Sequence, residues 1–413
     1  MHTQIFHHSA RVTSRRKRGV LINCWNVHFY STDARKKSFH ILFFGRDQFS
    51  CDVFKRLHDA QGALYIINMG NSEVTVTGDI DVWQSISIAT NPDVKTGRRG
   101  SHLSVSPLKL LGGPLGVPVH TIPQRKVDFR GWLPPSPFTN TDEAYSSVPE
   151  THLLVTASFG RILSPSLLRL FPPGQRLNVH PSLLPAYRGP APIQRALMQG
   201  EKKTGVCVID MMEKKEGIDA GSIWDCESTA SDNAGQSHSL AGPDRWRFTC
   251  QGSSGHVARK GESTENWAHS RCLCHGQARS VPQCLLSSTT PHAPAISASD
   301  AQVDFASQTP SDIVRLSRAI SHQRPPMTTM LNGRTLQLHD VSVSGRHDDL
   351  GPSEPGWAVY SPHTRTVLVS CADGEWLSVM RLKTQDRTLL AAKEWWNGVK
   401  GLGLLHEGML KLG

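Results

Sequence analysis

The sequence predicts an α/β domain on a mainly parallel sheet, followed by a smaller β-rich unit. Two observations carry this. Between residues 39 and 211, short apolar runs with little polar alternation are interleaved with segments of helical spacing, the pattern of strands covered on both faces. Beyond residue 350, runs rich in β-branched and aromatic residues follow one another, with the turn pair Asp373-Gly374 between two of them. At 413 residues the chain has room for two or three domains, each with its own core.

The elements follow in order. Phe39–Gly45 reads as a buried first strand. Asp47 then caps a helix in which Phe49, Val53, Phe54 and Leu57 recur at helical spacing. Residues 62–82 do not continue the pattern. Trp83–Thr90 is a second strand, and Asn91–Gly100 a loop rich in glycine and bases. Ser106-Pro107 starts a helix, and Val117–Val119 is a short strand. His152–Ala157, Leu177–His180 and Val206–Met211 are further strands. Pro190 and Pro192 open a helix with Ile193, Ala196 and Leu197 on one face, stopping at Gly200. Later, Ser311-Asp312 caps a helix whose Ile313, Leu316 and Ile320 share a face. Trp357–Tyr360, Val367–Cys371 and Trp376–Leu382 are strands, and Thr388–Trp396 a helix ending at Asn397-Gly398.

Charge and cysteine usage narrow the function classes. The formal net charge of +10 favours a polyanionic partner such as nucleic acid. Nine cysteines without regular spacing argue against a secreted disulfide scaffold. No apolar run reaches the length of a membrane span. Residues 1–38 carry Arg11, Arg15, Arg16, Lys17, Arg18, Arg35, Lys36 and Lys37 against the single acid Asp33, the composition of a mitochondrial transit peptide. Residues 227–290 are rich in Ser, Gly and His and lack a sustained period, so an irregular segment is expected. Cys272-x-Cys274-His275 within it fits no usual paired-ligand spacing, and no metal is expected.

The run Leu177–Ile193 carries the chemistry. On a strand, Asn178 and His180 point to one side while Leu177 and Val179 point to the other. An amide beside an imidazole, next to a proline-bounded turn, suits polarising a carbonyl and handling a proton. Asp219 lies forty-one positions beyond Asn178, between Gly217 and Gly221, where a turn residue is the plain reading.

Asn178–Ile193, with Gly205-Val206 and Gly217–Gly221, resembles the formyltransferase family that uses 10-formyltetrahydrofolate, and within it the branch acting on methionyl-tRNA. Ile41–Phe49, Asn91–Gly100 with Ser106-Pro107, Ala157–Leu163, Ala293–Arg324 and the Asp373-Gly374 and Asn397-Gly398 elements fit in the same order. The resemblance implies a Rossmann-like catalytic domain (39–226, completed by 291–330 with its linker) and an OB-like β-barrel domain (331–413) that helps hold tRNA. It places the catalytic roles on Asn178, His180 and Asp219. It assigns folate contacts to Ser182, Leu183, Leu184 and Pro185, with Phe159 and Gly160 beside them, and acceptor-stem contacts to Arg98 and Arg99. The co-substrate would be 10-formyltetrahydrofolate, with no metal. The partner would be initiator methionyl-tRNA, the protein a monomer, and its place the mitochondrial matrix. In the terminal domain Arg381, Lys383, Arg387, Lys393, Trp395 and Trp396 are RNA-contact candidates, the tryptophans equally core candidates.

The chain departs from the family pattern at three places. Val94 follows Asp93 where the family has a base. Residues 62–82 read as an insertion, and residues 227–290 replace a helix and strands, as translated intron or out-of-frame sequence would. A formyltransferase of small amines and an inactive RNA-binding paralogue are the alternatives.

Overall fold

The computed structural model describes residues 38–60, 65–69, 72–76, 82–139, 148–230, 283, 290–347, 350 and 354–413. The basic leader, the Cys-x-Cys-His motif and nearly all of 231–289 lie outside the described residues.

The first strand shows how sequence makes the layers. β1 (Phe39–Phe44) sends Ile41 and Phe43 into one core and Leu42 and Phe44 into another. A strand buried on both faces needs cover on both, and α1 (Gln48–Asp59) supplies part of it through Phe54. Asp47 caps α1 as expected, its carboxylate accepting the Ser50 N–H at 3.0 Å. Within the unexpected segment 62–82, the described residues of β2 (Tyr65–Met69) and β3 (Ser72–Val76) pair as an antiparallel ribbon of their own.

β4 (Trp83–Thr90) has the bounds the sequence predicts. The expected loop at Asn91–Gly100 is instead part of a hairpin. β5 (Val94–Thr96) pairs with β6 (His102–Ser104) across a 3-10 turn at Arg98–Gly100. Gly97 and Gly100, read as loop residues, are left-handed at and just before that turn, and Arg99 between them is left-handed too, at φ +58°. Helix α2 (Pro107–Gly112) follows, then β7 (Val119–Thr121), α3 (Lys126–Arg130), β8 (His152–Ala157), α4 (Pro165–Leu168), β9 (Arg176–His180), α5 (Pro192–Met198), β10 (Lys203–Asp210) and β11 (Ile223–Ala230). β11 runs across the boundary at 226–227 that composition places there.

The seven strands lie in the order β11-β10-β9-β8-β1-β4-β7. From β9 to β7 every pair is parallel, while β10 and β11 run antiparallel to their neighbours. Chain order reverses between β1 and β8, so the crevice beyond the carboxyl ends of these strands is the place for a ligand.

Residues 291–295 run beside 187–191, joined by backbone bonds from Tyr187 to Pro291 and from Ala293 to Arg188. Arg195 of α5 grips Asp300 through two bonds of 2.6 and 2.9 Å. Helix α6 (Pro310–Ile320) then packs on α5 and buries Ile313, Leu316 and Ile320. Its cap is Thr309, not Ser311. The Thr309 hydroxyl accepts the Asp312 N–H, and the Asp312 carboxylate takes the Thr309 N–H in return.

The terminal unit is an antiparallel half-barrel of β12 (Met327–Thr329), β13 (Thr335–Gly345), β14 (Trp357–Ser361), β15 (Thr366–Ser370), β16 (Trp376–Thr384), β17 (Leu390–Ala391) and β18 (Leu410–Lys411). Its two edges meet at a single bridge between Met330 and Leu412, giving the OB-like shape. Helix α7 (Ala392–Gly401) begins and ends later than the sequence predicts. Trp395 and Trp396 on it are buried in the barrel core, which removes them as RNA contacts.

Candidate active site

β9 ends at the carboxyl edge of the sheet and delivers Asn178 and His180 to one side, as strand alternation requires. The turn at Gly217–Gly221 swings Asp219 against both. Asp219 sits at φ +56°, and Gly221 packs so closely on β10 that an added Cβ would lie 2.0 Å from the Asp210 carbonyl oxygen. The three residues singled out from the sequence therefore converge. Asn178 Nδ2 donates to Asp219 Oδ1 at 3.2 Å, and His180 Nδ1 lies 3.7 Å from Asp219 Oδ2. The Gly189 N–H also donates to Oδ2, at 3.2 Å.

Two further atoms fix the orientation of this group. A carbonyl oxygen can only accept, so the 3.0 Å contact from His180 Nε2 to the Tyr187 carbonyl places a proton on Nε2. Nδ1, facing Asp219, is then the nitrogen left to gain or lose a proton. A carboxylate likewise only accepts, so the amide nitrogen of Asn178 must face Asp219 and its oxygen must face Thr156, whose hydroxyl donates at 2.7 Å. Sequence reasoning passed over Thr156, which reads there as one more β-branched strand residue. Asn178 Nδ2 keeps a second hydrogen beyond the one given to Asp219.

The proline-bounded turn lies directly after β9. Ser182 and Leu184 are fully buried, and the Ser182 hydroxyl donates to the Ala186 carbonyl at 2.8 Å. At these two positions only backbone atoms remain for any contact from outside, whereas Leu183 and Pro185 are only half-buried. The Leu184 N–H donates to Cys207 Sγ at 3.4 Å. After β8, Phe159 is buried in the core with its carbonyl held by Asn91 Nδ2 at 3.2 Å. Gly160 is exposed at φ +76°, with Arg46 beside the space a Cβ would fill. Arg99 is exposed on the β5–β6 hairpin, on elements separate from the triad; Arg98 shares its turn. Among the described residues no group of three or more His, Cys, Asp or Glu could hold a metal ion. No helix among them is long and apolar enough to cross a membrane.

Comparison with known proteins defines the class. Residues 101–236 match the model of the Formyl transferase family, and residues 295–400 match that of the Formyl transferase, C-terminal domain. Both units of the chain thus match formyl transferase models, the first from residue 101 onward. Among named relatives, it is similar to a methionyl-tRNA formyltransferase of Natranaerobius thermophilus, 40% identical over 34% of this chain and 40% of that protein. Over greater length it is 28% identical to the Geobacter metallireducens methionyl-tRNA formyltransferase, covering 89% of this chain and 98% of the relative. It is 27% identical to the mitochondrial methionyl-tRNA formyltransferase of Rattus norvegicus over 88% of this chain and 79% of the relative. The higher-identity match spans well under two thirds of its relative, while the longer ones are more distant.

Proposed function

We propose that this chain transfers the formyl group of 10-formyltetrahydrofolate to the α-amino group of methionyl-tRNA, giving the formylated initiator used in mitochondrial translation. The convergence of Asn178, His180 and Asp219 at the end of β9 carries this reading. The folate supplies an activated one-carbon unit on a nitrogen leaving group. As the amine attacks, charge gathers on the formyl oxygen, and the free N–H of Asn178 is a donor suited to it. His180 Nδ1 takes the amine proton and returns it to the folate nitrogen as the carbon–nitrogen bond to the formyl group breaks, and Asp219 stabilises the imidazolium between the two transfers. The Tyr187 carbonyl keeps the ring in the orientation this requires. The backbone of Ser182–Pro185 and the bare edge at Gly160 suit a flat ligand beside the triad.

The RNA side rests on different features. Arg98 and Arg99 would meet acceptor-stem phosphates, so binding weakens as salt rises. In the half-barrel, a groove of about 660 Å³ is lined by Thr335, Gln337, Lys383, Thr384, Gln385, Asp386 and Arg387. Its bases and amides suit a ribose-phosphate backbone. Residues 1–38 would act as the mitochondrial address, residues 39–226 and 291–330 as the catalytic domain, and 331–413 as the tRNA-holding domain.

The test supplies purified chain with 10-formyltetrahydrofolate and either methionylated initiator tRNA or a small primary amine. Formylation of the charged tRNA is expected. Preference for the small amine, or tRNA binding with no transfer, overturns the reading. A tagged full-length chain that stays wholly cytosolic overturns the mitochondrial part.

A further inference from the structure

Cys207 on β10 and Cys226 on β11 stand directly opposite each other in the antiparallel register. Their sulfurs lie 3.0 Å apart, and both are free thiols. Directly opposed residues of an antiparallel pair have a Cα separation of roughly 4.5–5.5 Å, inside the range a disulfide spans. The two differ in access. Cys207 is fully buried in a cluster with Leu184, Ile209 and Ile223, whereas Cys226 is exposed. The hydrogen bond from Cys207 also holds the Cys226 thiol below its ordinary range. Cys226 is therefore the thiol that meets a soluble oxidant, and Cys207 the one positioned to resolve it.

We propose that Cys207 and Cys226 form a reversible disulfide that reports the thiol–disulfide state of the surroundings to the turn after β9. The oxidant is a low-molecular-weight disulfide such as oxidised glutathione. The Cys226 thiolate attacks one of its sulfurs, releasing one glutathione thiolate and leaving a mixed disulfide. Cys207 then loses its proton and attacks Cys226 Sγ, releasing the second glutathione. Two protein thiols are oxidised, one glutathione disulfide is reduced to two thiols, and no other electron carrier is needed. The link to the turn is the Leu184 N–H, which donates to Cys207 Sγ. Bonding draws that sulfur toward Cys226, from 3.0 Å to about 2.05 Å. It also replaces the S–H bond with an S–S bond to Cys226 and redirects the sulfur's lone pairs, so the buried Leu184 amide loses its acceptor geometry. The disulfide itself stands apart from the proposed activity; its effect on folate use rests on that reading.

The experiment equilibrates the full chain with glutathione buffers from reducing to oxidising, blocks free thiols and maps tryptic peptides by mass spectrometry. Cys207 lies in peptide 204–214 and Cys226 in 216–245, so the bond appears as a linked pair. The pair should accumulate as the buffer becomes oxidising, vanish on reduction and be missing in Cys226→Ser. Amide exchange at Leu184 should quicken several-fold in the oxidised chain, and the KM for 10-formyltetrahydrofolate should rise several-fold in wild type while Cys226→Ser stays unchanged. Absence of the linked pair overturns the proposal. A linked pair with unchanged exchange at Leu184 overturns the coupling. If the reduced chain transfers no formyl group, the functional reading fails while the peptide and exchange measurements still decide the disulfide.

Discussion

The Thr156 hydroxyl donates to the Asn178 side-chain oxygen at 2.7 Å and so decides which way that amide points. With the oxygen held on β8, the nitrogen faces Asp219 and the reaction space. Thr156→Val keeps shape and burial but removes the donor, leaving the amide held on its nitrogen side alone, by Asp219. One lost hydrogen bond of about 1.4 kcal/mol corresponds to roughly a tenfold drop in kcat. KM for the folate should hardly move, and Thr156→Ser should restore turnover. Steady-state kinetics of the three proteins decide it; equal kcat in the Thr and Val forms would remove Thr156 from the site.

His180→Ala and Asp219→Asn should each lower kcat by about a hundredfold or more. Asp219→Asn is the sharper probe. Its amide has one acceptor where the carboxylate has two, so the donors Asn178 Nδ2 and Gly189 N–H cannot both be met as before. It also removes the charge facing His180 Nδ1. Circular dichroism should stay native in both variants, because the triad lies at the sheet edge and not in either core. Near-normal turnover in either would contradict the proton route through His180.

How far these features were legible in sequence follows from how local they are. Asn178 and His180 are two positions apart on one strand, so alternation alone sets them side by side. Asp219 is forty-one positions away, and only the family resemblance joined it to them. Thr156 escaped because its target is twenty-two positions distant. The Tyr187 contact escaped because a backbone carbonyl carries no residue signature. β13 was missed for another reason. Leu336 and Leu338 alternate, as do Val341 and Val343, but Asp340 between them sits at φ +52° and breaks the period. The hairpin at 94–104 was hidden by Gly97 and Gly100, which look alike in a loop and in a tight turn.

Gly221 is held by space, not by flexibility. A Cβ there would lie 2.0 Å from the Asp210 carbonyl oxygen, and backbone cannot swing aside as a long side chain can. Gly221→Ala should therefore cost at least ~2 kcal/mol and displace Asp219, two residues before it. Gly113→Ala is the control: nothing lies within 4 Å of its added Cβ. Urea unfolding should show a clear fall in midpoint for the first and little change for the second. A Gly221→Ala midpoint equal to wild type would show that the turn can move away from β10.

Asp300 ties residues 291–301 to α5. The Arg195 guanidinium holds its carboxyl down at about 2, with help from Ser297 and against a partial opposing effect of burial. The ordinary value is 3.8, so the unfolded chain binds a proton there more readily than the folded one. Stability from this pair is therefore full above about pH 4 and is lost as pH falls through 2. At pH 7, Asp300→Asn should destabilise by ~2 kcal/mol, the scale of a charge-assisted hydrogen bond. The gap between wild type and variant should narrow as pH falls from 4 toward 2, because protonated Asp300 and asparagine are then alike in charge. Urea unfolding of both at pH 7, 4 and 2.5 measures this, and a gap constant across the series would mean that the ion pair contributes no net stability.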